Sequence, residues 1–142
     1  MPAPAMPDAK QMAVELLDAA LSGVHVAGRT PPDPQFRQLL PMVRVLRVGG
    51  LRALKAWGGP ASRDDARLSV DCYAPTDGEA TRLALRVLDE WELLPGRTTE
   101  DGSVTKAWQE IGPQDRPEEP NTSVARIGMI LGMSVRPPRL TS

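Results

Sequence analysis

The sequence predicts an α+β fold, a mainly antiparallel β-sheet flanked by two principal α-helices, and two kinds of periodicity carry that prediction. Residues 8–21 and 76–94 place apolar side chains at i, i+3, i+4 spacing behind a capping residue. Residues 66–74 and 124–135 instead alternate apolar with polar or small side chains, the period of a half-buried strand. The two patterns share 142 residues, close to the usual size of one domain and long enough to bury a core. A single domain over 1–142 is therefore expected, with residues 1–7 and 137–142 as flexible termini.

The first helix begins at Asp8, a plausible N-cap, and its stripe is Ala9, Met12, Ala13, Leu16, Leu17, Ala20 and Leu21, ended by Ser22-Gly23. Val24 to Ala27 is a short strand candidate. Gly28 to Pro34 holds Pro31, Pro32 and Pro34 and reads as extended loop. Met42 to Val48 is rich in β-branched residues, with Met42, Leu46 and Val48 on the face of Arg44 and with Val43 and Val45 on that of Arg47. It reads as a strand covered on both sides. The stretch 49–63, bracketed by Gly49-Gly50 and Gly58-Gly59-Pro60, is either a long hairpin arm or a loop with one helical turn.

Beyond the arm, Ala66, Leu68, Val70, Cys72 and Ala74 form a core face, and Arg67, Ser69, Asp71 and Tyr73 form a face that is wet or shared with a partner. Thr76-Asp77-Gly78-Glu79 spells a capping box, and Ala80, Leu83, Ala84, Val87, Leu88 and Trp91 continue the stripe until Pro95-Gly96 stops it. Val104 to Ile111 reads as a strand, and residues 112–121, proline-rich and acidic, as a solvated loop. The last strand, Val124 to Val135, has Ile127, Met129, Leu131, Met133 and Val135 on its core face. Its other face is small, and Gly128 and Gly132 there predict close approach of another backbone.

Composition bounds the function classes. Apolar residues at 41% and charged residues at 25% are ordinary for a soluble domain, while fifteen prolines, about twice average usage, imply much loop. The single Cys72 cannot form an internal bridge and nothing resembles a secretory leader, so cytosolic residence is expected. No run of about 20 apolar residues is long enough to cross a membrane. Net charge is −1, yet residues 29–67 carry a balance of +5 and residues 89–120 one of −6. Such runs are often two solvated faces of a monomer. They also suit a self-complementary surface that joins protomers head to tail.

Chemistry finds little to work with. His25 has no second histidine beside it, and metal or acid–base work needs partners. Cys72 points into the core as a small hydrophobe, and Asp89, Glu90 and Glu92 read as solvated acids around a helix end. The paired glycines lack the Gly-Lys-Ser/Thr signature of a phosphate loop. No catalytic residue, cofactor or metal is assigned, and the expected role is assembly, with no enzyme activity. Arg44, Arg47, Arg52, Lys55, Arg63 and Arg67 could neutralise phosphates with Trp57 stacking on a base, but an acidic pI of about 5.8 and few aromatics speak against nucleic-acid binding.

Residues 40–94 resemble the tail terminator (tail completion) proteins of long-tailed bacteriophages, especially those of phages infecting actinobacteria. The resemblance rests on the strand Leu-Pro-Met-Val-Arg-Val-Leu-Arg-Val-Gly-Gly, a variable arm, the strand Asp-Asp-Ala-Arg-Leu-Ser-Val-Asp-Cys-Tyr-Ala and a helix opening Asp-Gly-Glu-Ala. The first helix and the last strand also fit. The resemblance implies a hexameric ring at the head-proximal end of the tail tube, which stops tube polymerisation and joins the tail to the filled capsid. The implied partners are the chain itself, the tail tube protein and a head–tail connector protein, with no membrane and no specific nucleic acid, although the ring lumen would be a passage for DNA. The implied location is the virion tail, after assembly in the host cytoplasm. Expected subunit or tube contacts are Arg44, Arg47, Arg52, Lys55, Trp57 and Arg63 on one side and Glu110, Asp115, Glu118 and Glu119 on the other. Another head–tail connector or head completion protein is the alternative, ahead of a nucleic-acid-binding protein or small enzyme.

Overall fold

The computed structural model of the chain describes residues 6–32, 34–54, 61–116 and 124–138. Three helices, α1 (Ala9–Ala20), α2 (Gln35–Gln38) and α3 (Asp77–Glu92), accompany six strands: β1 (His25–Ala27), β2 (Met42–Leu54), β3 (Ala61–Ala74), β4 (Thr98–Thr99), β5 (Gly102–Asp115) and β6 (Ala125–Arg136). The strands form one sheet in the order β1-β2-β3-β6-β5-β4. Only β1 and β2 run parallel, so the α+β, mainly antiparallel expectation holds.

Both long helices form where the side chains supply a start. The Asp8 carboxylate accepts from the Gln11 N–H at 3.1 Å, and the Thr76 hydroxyl accepts from the Glu79 N–H at 3.2 Å. Asp77 and Glu79 also place negative charge on the first turn of α3, where the helix dipole favours it. The two helices lie on the same face of the sheet. There Met12, Leu17, Leu83, Val87 and Trp91 pack on Val45, Leu68, Val70, Met129, Leu131 and Met133 in one continuous core. Fully burying each such side chain contributes roughly 1.5–3 kcal/mol. The Trp91 indole N–H, buried with its ring, donates to the Gly132 carbonyl at 2.9 Å and fixes α3 to the middle strand.

One open alternative is decided, in favour of the arm, and several expectations are corrected. The stretch after Val48 is a hairpin arm: β2 continues to Leu54, paired through Arg52↔Asp64 and Leu54↔Ala61, and residues 55–60 at its tip lie outside the described residues. Gly50 sits at φ +108°, and a Cβ there would collide with the backbone of Asp65 and Ala66, so the arm requires glycine at this point. Val48 is the extra residue of a bulge between Arg47 and Gly49, which turns it outward, 49% exposed, so β2 is covered on both sides only as far as Leu46.

β5 likewise runs on through 112–115, residues expected to be loop. Pro113 falls inside a register irregularity between Ile111 and Gln114, where its missing N–H breaks no regular ladder. The four-residue α2 was not foreseen, because so short a helix among prolines has no periodicity to reveal it. It drops Phe36 edge-on against Tyr73, ring centroids 5.1 Å apart, and with Met42 and Val124 makes a second small core under one corner of the other face. At the N-terminus Pro7, expected in a flexible segment, is buried beside Gly102.

Candidate functional site

The face of the sheet away from α1 and α3 carries the polar chemistry of the molecule. Its central row is Arg44 on β2, Asp71 on β3 and Gly128 on β6, brought level by the ladder register. Asp71 is fully buried, and three guanidinium groups converge on it. Arg44 Nη2 donates to Oδ2 at 2.8 Å, while Arg126 Nε and Arg116 Nη1 each donate to Oδ1 at 3.1 Å. Arg116 also donates to the Ser69 hydroxyl at 3.2 Å. Burial pushes the Asp71 carboxyl up, but the hydrogen bonds from Arg126 and Arg44 outweigh it and hold the group below the usual aspartate range. The Tyr73 ring stands beside the cluster, with the Arg44 and Arg126 guanidinium carbons 5.7 and 5.8 Å from its centroid.

Gly128 is what admits Arg116. A Cβ at 128 would overlap the Arg116 side chain, and four residues along β6 a Cβ at Gly132 would overlap the Trp108 indole. The small face of β6 is therefore covered by two side chains of its own molecule, where close approach of a backbone was expected. Trp108 Nε1 donates to Glu110 Oε1 at 3.2 Å, and Arg67 Nε donates to Glu110 Oε2 at 2.6 Å. Desolvation is the largest single influence on Glu110 and opposes its ionisation, but the hydrogen bonds from Arg67 and Trp108 with the Arg67 charge together outweigh it and lower its carboxyl.

A second ion pair lies on the helix side, at the base of the arm. Arg47 holds the buried Asp64 with two parallel bonds of 2.6 and 2.7 Å, and its own acidity is weakened further by that hydrogen bond. Next to it Asp65 accepts from Ser134 Oγ at 2.5 Å and from Arg63 Nε at 3.1 Å. Desolvation works against the charged form of Asp65, yet these bonds lower its carboxyl overall.

The expected contact residues thus divide. Arg44, Arg47, Arg63 and Glu110 have acidic or basic partners within the same protomer. The +5 and −6 runs are therefore partly consumed inside the fold. Arg52 and Asp115 are exposed and join no ion pair among the described residues, and Lys55, Trp57, Glu118 and Glu119 lie outside them. The sequence reading missed Asp71, Arg116 and Arg126 as one unit. The available signal was an aspartate in mid-strand with arginines on the same face of neighbouring strands.

Elsewhere His25 is exposed on β1, and Cys72 is buried, its thiol pushed up by desolvation and by Asp71. Among the described residues no group of three His, Cys, Asp or Glu side chains could hold a metal ion, and no helix is long and apolar enough to cross a membrane. Two open clefts lie among the described residues, one of about 410 Å³ between the start of α3 and Val24 and Pro41, and one of about 370 Å³ beside β4.

No protein-family model and no curated protein matches the chain. Among solved structures the fold is similar to a chain of the "Virion of native gene transfer agent (GTA) particle". Identity is 18%, the TM-score is 0.51, and the match covers 90% of this chain and 87% of that one. At this identity the likeness is one of fold.

Proposed function

We propose that this chain is a structural virion protein that assembles with copies of itself and caps the head-proximal end of a phage tail tube as a ring. The observation that carries the reading is the fold likeness to a virion chain over nine-tenths of the sequence, which reaches the same class of particle as the strand, arm and helix order of residues 40–94. The architecture suits the role. A rigid sheet is held by buried ion pairs, and a hairpin arm, with Leu51 80% exposed on β2, continues past the end of β6, whose pairing with β3 stops at Asp64. Such an arm reaches a neighbour or the tube, and the mechanism is steric: a closed end offers no site for the next tube subunit.

The test mixes the purified chain with its cognate tail tube protein during polymerisation. Tubes that stop growing, with a ring visible at one end by electron microscopy, support the terminator reading. Tubes of unchanged length with no bound ring overturn it, and binding to a portal-side connector in their place would favour a head completion role.

A further inference from the structure

Among the described residues the sheet has two long open edges, and they sit at the same height. β1 covers β2 only from Met42 to Arg44, so among the described residues β2 has no outer neighbour beyond that point. At the opposite side β4 and the turn before it occupy β5 only as far as Val104, which exchanges backbone hydrogen bonds with Gly96 and Arg97. The ladder register through β3 and β6 places Leu46 level with Ile111, and Leu51 level with Lys106. Among the described residues, 46–51 and 106–111 are therefore two unpaired edges of matching length, roughly 20 Å at about 3.4 Å per residue.

We infer that the β2 edge of one copy pairs with the β5 edge of the next, continuing the sheet from protomer to protomer. Three features favour this occupant. β2 and β5 run in opposite directions, so two copies set side by side with the same face up meet as an antiparallel ladder. Long edges are ordinarily blunted, but here Val48 (49% exposed) and Leu51 (80%) stand out on one edge and Ile111 (39%) on the other. The bulges at Val48 and Glu110 fall at neighbouring levels, so the bends of the two edges match. The contact is heterologous and repeats around a closed ring or along an open chain.

This inference rests on the self-assembly part of the reading above, and two edge-blocked variants separate the two. Val48→Lys with Leu51→Lys blocks β2, and Gln109→Lys with Ile111→Lys blocks β5; all four positions are exposed, so the protomer stays folded. Light scattering over a concentration series should give the wild type a mass that rises above the 15.4 kDa protomer. Each variant alone should stay at one protomer, and an equimolar mixture should stop at two, because only one intact β2 and one intact β5 edge remain. In the wild type, amide exchange at 46–51 and 106–111 should slow together as concentration rises. Either variant dimeric by itself overturns head-to-tail pairing in favour of a two-fold contact. Rings unaffected by both variants overturn the edge contact and leave the assembly reading standing. A wild type that is monomeric at every concentration, with no protection at either edge and no ring on the tube, overturns both.

Discussion

Replacing Asp71 with asparagine leaves the shape of the side chain almost unchanged and removes the charge on which Arg44, Arg116 and Arg126 converge. Breaking a buried ion pair by neutralising one partner costs about 3–5 kcal/mol, because the remaining charges stay where water reaches them poorly. Here the three arginine side chains retain 19–25% of their exposure, so the low end, about 3 kcal/mol, is expected. Unfolding entropy of about 2.1 cal/mol/K per residue amounts to about 0.3 kcal/mol/K for 142 residues. Asp71→Asn should therefore lower the melting temperature by about 10 °C at pH 7. The wild-type carboxyl is lowered in the folded state, so its contribution is present above the unfolded aspartate range near 4 and is lost as pH falls through the folded value. The gap between wild type and variant should then narrow in acid. Calorimetry between pH 7 and 2.5 measures both effects. A shift under about 2 °C, or a gap that does not depend on pH, would refute the view that Asp71 anchors this face.

Three further outcomes are expected. Gly132→Ala should destabilise by about 1–3 kcal/mol in urea melts, since the added methyl displaces Trp108 from its seat; an unchanged midpoint would show the indole moves freely. A double-mutant cycle on Arg47→Ala and Asp64→Ala should give a coupling of about 1–2 kcal/mol, discounted because the arginine is 36% exposed, and a coupling near zero would remove the pair from the account of the arm's base. Cys72, buried with its thiol pushed up, should react with a thiol reagent only at the rate of global unfolding, and prompt labelling of the native protein would contradict its placement.

The internal ion pairs also change how the charge runs are understood. Arg44, Arg47, Arg63 and Arg67 all lie in the basic run, and their acids come from Asp71, Asp64, Asp65 and Glu110. Asp64 and Asp65 belong to the run and are already counted in its +5 balance, so only Asp71 and Glu110 bring acid from outside it, and the run keeps a net positive charge. Arg52 on the arm and Asp115 at the end of β5 are among the exposed charges that remain for a partner.

The elements whose signals are local were legible in the residues alone. Asp8 and Thr76 cap the two long helices by bonds to residues three positions on, and the alternation in 66–74 and 124–135 fixed which side chains face the core, because helix and strand periods act on neighbours in the chain. The short strand 24–27 and the lone, buried Cys72 were legible for the same reason. Strand order and packing set the rest. Arg44, Arg116 and Arg126 meet Asp71 from three other segments, as far as 55 positions from it in the chain, and no spacing rule relates residues whose contact depends on strand order. The same order placed Arg116 and Trp108 over Gly128 and Gly132, showed that β2 and β5 continue through glycines and a proline, and left two strand edges open at one height, because register between strands is set by the packed sheet.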